Sequence, residues 1–253
     1  MQTKTMQAGG YEYIPGVMQY SAGVSALPGY RLVRVRFDEV VPLKQGFERI
    51  AAHLKAVGRP LTAFCACELR SPGQFTEAGF EEFNRVYTGT LRDWGIMTGS
   101  DNPVGRSNVC PEIGAPAEPG FHAFIYTVED KDAPKTFAIA GSGEAPEGKG
   151  NYRDHIVRLG DTSPDALREK AAYVLGEMER RMAHFGGSWN DTTGVQIYSV
   201  HDIHPLVATE IGPRGAHRNG MTWDFNRPPV VDLEYEMDCR RIFDETVLPG
   251  GNA

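Results

Sequence analysis

The sequence predicts an α+β protein made of two tandem copies of one module. Each half of the 253 residues contains the same order of predicted elements: strand, helix, strand, helix, strand. The helix ends "AHLKAVG" and "MAHFGG" resemble each other, and a charged, proline-containing segment at 129–135 separates the halves as a linker. We therefore place module 1 at residues 1–130 and module 2 at residues 136–248.

In the first half, the spacing of apolar residues predicts two helices. Apolar residues at helical spacing before a glycine predict a helix over 46–58, and a second helix over 76–95 begins after Thr76 as its N-cap. The segment 101–113, "DNPVGRSNVCPEI", is rich in turn-forming residues, so we expect a loop around Arg106. Apolar runs predict strands at 17–24, 61–69 and 121–128.

The second half repeats this order. The predicted elements are a strand entering a glycine turn (136–146), a capped amphipathic helix (163–187), a strand (192–200), a short helix (204–212) and a strand of alternating polarity (230–238). Arg106 and Arg218 each open an irregular segment, and His122 and Glu234 each follow sixteen positions later. This register predicts that the two arginines occupy matching positions in the two modules.

Composition excludes several classes of function. The formal net charge is −7 and the pI is near 5.5, and no run of Lys or Arg offers a footprint for phosphates, so we expect no nucleic-acid partner. The N-terminal residues lack the apolar core of a signal peptide, and no window approaches a membrane span. The four cysteines do not suggest a disulfide framework. We expect a cytoplasmic protein without a membrane partner.

Two motifs invite a functional interpretation and are set aside. The pair His201 and His204 in "HDIH" resembles part of a metal site, but such sites usually need three convergent ligands, and we expect no metal. The segment "GSGEAPEGKG" (141–150) resembles a phosphate-binding loop, but Lys149 precedes glycine rather than Ser or Thr and no helix follows directly. We do not interpret it as a P-loop.

The stretches "GFEEFNRVY" and "NPVGRSNV" resemble the RidA (YjgF) family, whose module has an Asn-bearing helix followed by a Pro-x-Arg-Ser segment. "SGE" at 142–144 and "PPVVDLEYE" at 228–236 are similar to the family's Ser-Gly-Gln turn and terminal strand. The resemblance implies tandem RidA-like (chorismate mutase-like) modules, each a mixed sheet with two helices packed on one face. A two-module chain of this length resembles the 2-aminomuconate and 2-amino-5-chloromuconate deaminases of aromatic degradation.

That resemblance implies hydrolysis of a small enamine or imine carboxylate, with release of ammonia and without a cofactor. By position, Glu234 would orient the attacking water, and His122 lies near the glutamate position of the first half. The residues that would bind substrate are Arg106, Arg218, Asn84, Ser142 and Glu144. Arg106 would hold the substrate carboxylate, because a guanidinium donates two parallel hydrogen bonds and stays charged.

The sequence leaves some choices open. Muconates carry two carboxylates, so a second cation, Arg218 or Arg227, would suit them better than Arg106 alone. Because the halves keep different parts of the pattern, either module could be the catalytic one. The alternatives to a deaminase are a chorismatase-like enzyme and a non-catalytic small-metabolite-binding protein.

The module count predicts the oligomeric state. RidA-like modules associate in rings of three, and one chain supplies two modules, so three chains form the smallest closed arrangement. We expect a homotrimer of about three times 27.8 kDa, or a higher multiple, with its sites at module interfaces. Light scattering at micromolar concentration measures this mass. An active monomer near 28 kDa would contradict the prediction, because the two modules would then complete a site by themselves.

Overall fold

Two mixed β-sheets face each other across a shared core in this computed structural model, which describes residues 2–149 and 151–251. In chain order the strands are β1 (Lys4–Met6), β2 (Tyr11–Ile14), β3 (Gly23–Ala26), β4 (Tyr30–Pro42), β5 (Phe64–Arg70), β6 (Gly105–Pro111), β7 (Gly120–Glu129), β8 (Phe137–Gly143), β9 (Gly194–Tyr198), β10 (Thr222–Asp224), β11 (Asn226–Arg227), β12 (Glu236–Arg241) and β13 (Glu245–Leu248). The helices are α1 (Leu43–Ala56), α2 (Glu77–Asp93), α3 (Pro164–His184), α4 (His204–Leu206) and α5 (Gly212–Arg214), and a π-helical turn (Val207–Ile211) joins the last two.

The two halves of the chain exchange strands. The first sheet has the order β11-β6-β5-β7-β4-β13, and the second has the order β1-β2-β3-β8-β12-β9-β10. Strands β1 to β3 therefore join the sheet of the second half, where Gly23 pairs with Ile139. Strands β11 and β13 join the sheet of the first half. The division into residues 1–130 and 136–248 stays a prediction, and these strand exchanges lock the halves together.

Helices α1 and α2 cover the outer face of the first sheet. Their apolar faces bury Phe47, Ile50 and Tyr87 against the sheet, and the Phe47 ring lies 4.9 Å from that of Phe121. Gly46 permits this close approach, because a Cβ there would lie 2.3 Å from the Phe121 ring. Burial of each large apolar side chain contributes roughly 1.5–3 kcal/mol, so this face rather than helix propensity fixes α1.

The predicted starts of α2 and α3 are confirmed, whereas α1 begins at Leu43 instead of 46. Thr76 Oγ1 accepts a hydrogen bond from the Gly79 N–H at 3.2 Å at the start of α2, and Ser163 Oγ accepts one from Ala166 at 3.4 Å at the start of α3. Helix α3 covers the outer face of the second sheet, where Met178 belongs to the buried core. The molecule thus has four layers: helices, sheet, sheet, helices.

Polar bonds as well as apolar contacts join the inner faces of the sheets. Arg34 and Glu68 form a buried two-point ion pair at 2.6 and 2.7 Å within the first sheet. Ser107 on β6 donates to Asp238 on β12 at 2.5 Å, which ties the first sheet to the second. Burial and the nearby Glu68 raise the pKa of Asp238 to about 6.

Three strand predictions need correction. The predicted loop around Arg106 is strand β6, which is buried along almost its whole length and runs parallel to β5. The predicted strand at 17–24 is largely irregular, since only its last two residues belong to β3. The last predicted strand begins at Glu236 instead of 230. In each case pairing between distant segments, which local propensity does not record, decides the outcome.

The predicted fold class is confirmed: the chain is α+β, with two mixed sheets and helices on one face of each. Among residues 2–149 and 151–251, no helix has the length and apolar character needed to cross a membrane.

Candidate active site

A cavity of about 200 Å³ lies between the two halves of the chain. The first half contributes residues of β6 and α2 and the segment 17–20, and the second half contributes β8, the loop 145–149 and the segment 229–236. Ligand pockets for larger molecules usually exceed about 300 Å³, so this volume suits a small metabolite.

Arg106 projects into this cavity from the buried strand β6 and is only 2% exposed. Its Nη1 donates to Asn84 Oδ1 at 2.5 Å, so α2 fixes one side of the guanidinium. Four aromatic rings surround the guanidinium at 4.9–5.7 Å: those of Tyr20, Phe80, Phe83 and Tyr87. These rings stabilise the guanidinium by cation–π attraction. They leave its Nη2 without a hydrogen-bond partner.

Two buried donors that line the cavity have no partner in the described part of the chain. One is Arg106 Nη2, and the other is Asn108 Nδ2, two positions along the same strand. Ser71 donates to Asn108 Oδ1 at 2.9 Å, which orients the amide so that its NH₂ remains available. A buried donor without an acceptor costs about 1–3 kcal/mol. A bound carboxylate would satisfy both donors.

Glu236 lines the same cavity from strand β12 and is 4% exposed. Its pKa is raised well above the usual value, first by burial and then by the negative charges of Asp238, Glu144 and Glu147; Arg106 opposes this shift only weakly. This shift favours the protonated, neutral form of the carboxyl relative to an ordinary glutamate. The cavity is therefore lined by a guanidinium and by a carboxyl with a raised pKa.

Gly141 on β8 makes room for this carboxyl. A Cβ at position 141 would lie 2.2 Å from Glu236 Oε1 and 3.2 Å from Ser107. Real Cβ atoms do not approach other atoms so closely, so a side chain here would displace Glu236 or push β6 away. The glycine therefore permits the close packing of β6, β8 and β12 that brings Arg106 and Glu236 to one cavity.

Arg181 holds strand β8 and the loop after it, both of which contribute to the cavity wall. This residue of α3 is 1% exposed and donates to the Ala140 carbonyl oxygen at 3.2 Å, to Ser142 Oγ at 3.1 Å and to Glu147 Oε1 at 2.8 Å. Tyr20 OH also donates to Glu147, at 3.0 Å. The structure thus uses Ser142 to bind Arg181 and does not place it on the cavity wall.

Glu144 positions the segment that leads to Glu236. Its carboxylate pairs with the buried Lys170 at 3.1 Å and accepts the backbone N–H groups of Glu234 at 2.7 Å and Tyr235 at 3.1 Å. This residue, expected to bind substrate, lies outside the cavity lining. Its bonds hold the chain that enters β12.

The structure brings Arg106 and Asn84 together but places Glu234 elsewhere. Glu234 precedes β12, and its carboxylate lies 2.8 Å from His201 Nε2 and 3.8 Å from Arg227. It does not line the cavity. The glutamate that does so is Glu236, two residues further along the chain.

Arg218 and His122 also lie away from the cavity. Arg218 is exposed and donates to Asn190 at 2.7 Å, on a turn after α5, so its sequence match with Arg106 has no structural counterpart. His122 lies on β7, where burial and then Arg70 lower its pKa to about 3. The imidazole is neutral there and does not line the cavity, and its catalytic role stays a prediction.

The histidines of "HDIH" are engaged with carboxylates. His201 pairs with Glu234, and His204 Nδ1 lies 2.6 Å from Asp202. Over the described residues, no group of three or more His, Cys, Asp or Glu side chains is arranged to hold a metal ion.

Sequence reasoning missed Glu236 and Asn108. Glu234, Glu236 and Asp238 share one parity in "LEYEMD", so alternation alone could not say which of them faces a ligand. The choice depends on where β12 begins. Asn108 belongs to the segment predicted as a loop, and only in a strand do positions 106 and 108 point to the same side.

The fold and the cavity together define an α+β protein in which a buried arginine and a buried glutamate, supplied by different halves of the chain, line one cavity. Residues 3–246 match the family model described as 2-aminomuconate deaminase CnbZ. The chain belongs to this family, and the resemblance to aminomuconate deaminases drawn from the sequence is confirmed.

Two known proteins show the extent of the similarity. The 2-amino-5-chloromuconate deaminase of Comamonas testosteroni is 49% identical over 242 residues, which cover 95% of this chain and 96% of that protein. A chorismatase crystal structure matches with a TM-score of 0.54 and 12% identity, over 87% of this chain and 77% of that one. At that identity the chorismatase shows a shared fold and nothing about activity.

The first prediction from this geometry concerns the two terminal nitrogens of the Arg106 guanidinium. Arg106→Lys keeps the positive charge but loses the bond to Asn84 and the unpaired Nη2, so we expect kcat/KM on a carboxylated enamine to fall at least about tenfold, or roughly 1.4 kcal/mol. Steady-state kinetics measure this loss. Unchanged kinetics in a correctly folded variant would remove Arg106 from the site.

Proposed function

We propose that this protein hydrolyses 2-aminomuconate or a close analogue, such as the 5-chloro compound, to the corresponding 2-oxo acid and ammonia. The observation that carries the proposal is the buried, incompletely paired Arg106 in one cavity with Glu236, a carboxyl whose pKa burial raises. The family match and the 49% identical deaminase support the substrate class.

The carboxylate next to the amino-bearing carbon binds Arg106 in this proposal. Arg106 Nη2 and Asn108 Nδ2 supply the two unpaired donors, and the aromatic rings around the guanidinium exclude water from the contact. Binding at such a fixed, dry site orients the reacting carbon before any bond changes.

Glu236 starts the reaction as an acid. An enamine is nucleophilic at the carbon β to nitrogen, so the Glu236 proton passes to that carbon, C3, and the C2–N bond becomes an iminium. Glu236 is left as a carboxylate, whose charge the iminium and Arg106 offset. A carboxyl with an ordinary pKa would be ionised at neutral pH and could not supply this proton, which gives the raised pKa its function.

Glu236 then acts as the base. Water attacks the electrophilic C2 of the iminium while the Glu236 carboxylate accepts a proton from it, giving a carbinolamine and restoring the protonated acid. Transfer of the hydroxyl proton to nitrogen releases ammonia and forms the 2-oxo group. One water is consumed, and Glu236 returns to its starting state, so the cycle needs no cofactor.

The direct test is an ammonia-release assay. Purified protein is mixed with enzymatically generated 2-aminomuconate, and ammonia and the loss of substrate absorbance are followed against a reaction without protein. Acceleration supports the deaminase. Tight binding without turnover would instead identify a metabolite-binding protein.

The second prediction separates the two neighbouring glutamates. Glu236→Gln keeps the size of the side chain but removes the exchangeable proton, so turnover should fall by at least about a hundredfold. Glu234→Gln is the matched control on the same segment and should retain most of the activity, because Glu234 faces His201 outside the cavity. A reversed result would return the catalytic role to Glu234.

The Glu236→Gln variant should also differ from wild type in its melting temperature. Because the pKa of Glu236 is raised in the folded state, the unfolded chain loses its proton first, and the folded state loses stability as pH rises through the raised pKa. Glu236→Gln removes this term. We expect it to melt at a higher temperature than wild type at neutral pH and above, even though it is inactive. A large loss of stability would mean that inactivity reports misfolding.

The third prediction is a pH profile. The proposed acid is active while protonated, so kcat/KM should be maintained through neutral pH and should fall as pH rises past the raised pKa of Glu236. Initial rates in buffers of constant ionic strength measure this limb. An activity that instead falls on acidification, with an apparent pKa near that of an ordinary carboxyl, would exclude a protonated Glu236.

A further inference from the structure

The proposed substrate carries two carboxylates, and Arg106 accounts for only one. The cavity has two ends. At its inner end Arg106, Asn108 and Glu236 are 2%, 3% and 4% exposed. At its outer end the lining residues Gly148 and Lys149 are exposed to solvent. A ligand bound at Arg106 therefore extends toward the loop that carries Lys149.

Lys149 is a free cation at this mouth. Within residues 2–149 and 151–251, its ammonium has no hydrogen-bond or ion-pair partner. The neighbouring acid Glu147 is already engaged, because Tyr20 donates to it at 3.0 Å and Arg181 at 2.8 Å. The Glu147 carboxylate is thus bonded to Tyr20 and Arg181, and the Lys149 ammonium stays available to a ligand.

The other cations considered for a second carboxylate are not placed to bind it. Arg227 pairs with Glu112 at 2.8 Å, and Arg218 donates to Asn190 at 2.7 Å. Neither residue lines the cavity. Of the Lys and Arg residues in the described part of the chain, Arg106 and Lys149 are the two that do.

The wall between the two ends is largely apolar. Phe80, Val17, Pro229, Val230 and Leu233 contribute to it. Such a wall suits a conjugated hydrocarbon segment, which offers no hydrogen-bonding groups. Charge at both ends and apolar contact between them match an unsaturated dicarboxylate.

We propose that Lys149 binds the distal carboxylate and makes the site selective for dicarboxylic enamines over monocarboxylic ones. This inference rests on the proposed function for the identity of the substrate, but the recognition of a dicarboxylate can be measured without turnover. The segment resembling a phosphate loop in the sequence thereby gains a role: its lysine binds a carboxylate at the cavity mouth.

The solvent exposure of Lys149 sets the expected size of its effect on selectivity. An ion pair with a solvated lysine contributes little, typically below about 1 kcal/mol, so neutralising Lys149 should change selectivity by roughly fivefold. Reversing the charge adds repulsion, so the change should exceed about tenfold. Both effects should shrink at high ionic strength, because an exposed pair is screened.

The experiment measures a selectivity ratio. The kcat/KM for 2-aminomuconate is divided by that for 2-iminopropionate, which lacks the distal carboxylate, in wild type, Lys149→Ala and Lys149→Glu. We expect the ratio to fall about fivefold and more than tenfold, respectively. Lys131→Glu, an exposed linker residue, is the control for net charge and should leave the ratio unchanged.

Calorimetric binding of two unreactive ligands separates this inference from the proposed function. Adipate has two carboxylates and hexanoate has one, and wild type should prefer adipate by a margin that Lys149→Glu removes. If adipate selectivity depends on Lys149 but no enamine is deaminated, the proposed function fails and the inference stands. An unchanged ratio in the Lys149 variants, or equal weakening of both ligands, overturns the inference.

Discussion

The burial of one unpaired positive charge is the constraint on which the site depends. Removing an ion from water costs several kcal/mol unless partners replace the lost hydration. Arg106 donates one hydrogen bond to Asn84 and lies against four aromatic rings, but no carboxylate lies within ion-pair distance of it among the described residues. The Arg106 guanidinium thus remains without an anionic partner among the described residues. An ion pair between Arg106 and a carboxylate of the protein would stabilise the folded state. It would also leave no free N–H group on the guanidinium for a ligand.

Burial also shifts the pKa of Glu236, here against the effect of Arg106, whose positive charge lowers that pKa. Had this carboxyl been ionised, it would have competed with substrate for the guanidinium. Burial and the negative charges of Asp238, Glu144 and Glu147 instead raise its pKa and favour its protonated form. The same buried environment therefore gives the two properties on which the proposed function rests: an incompletely paired guanidinium and a carboxyl with a raised pKa. Catalytic sites often separate charges in this way at some expense of stability.

Neither half of the chain could build this site alone. Arg106 and Asn84 belong to the first half, while Glu236 and the Lys149 loop belong to the second. The bond from Ser107 to Asp238 joins the two sheets next to these residues, and Gly141 sets how closely the strands approach. One chain therefore supplies both sides of this cavity, so the expected homotrimer rests on the module count and not on the completion of this cavity.

The sequence by itself predicted the long helices, the N-caps of α2 and α3, the two-sheet fold class and the proximity of Arg106 to Asn84. Periodicity and capping are local, so the chain records them directly. Only the tertiary structure decided that β6 is a strand and that Glu236 rather than Glu234 faces the cavity. The polar residues of β6 are tolerated in a buried strand because Asn84, Asp238 and Ser71 come from distant segments to bond with them. Pairing across such distances depends on the whole fold, and no local pattern encodes it.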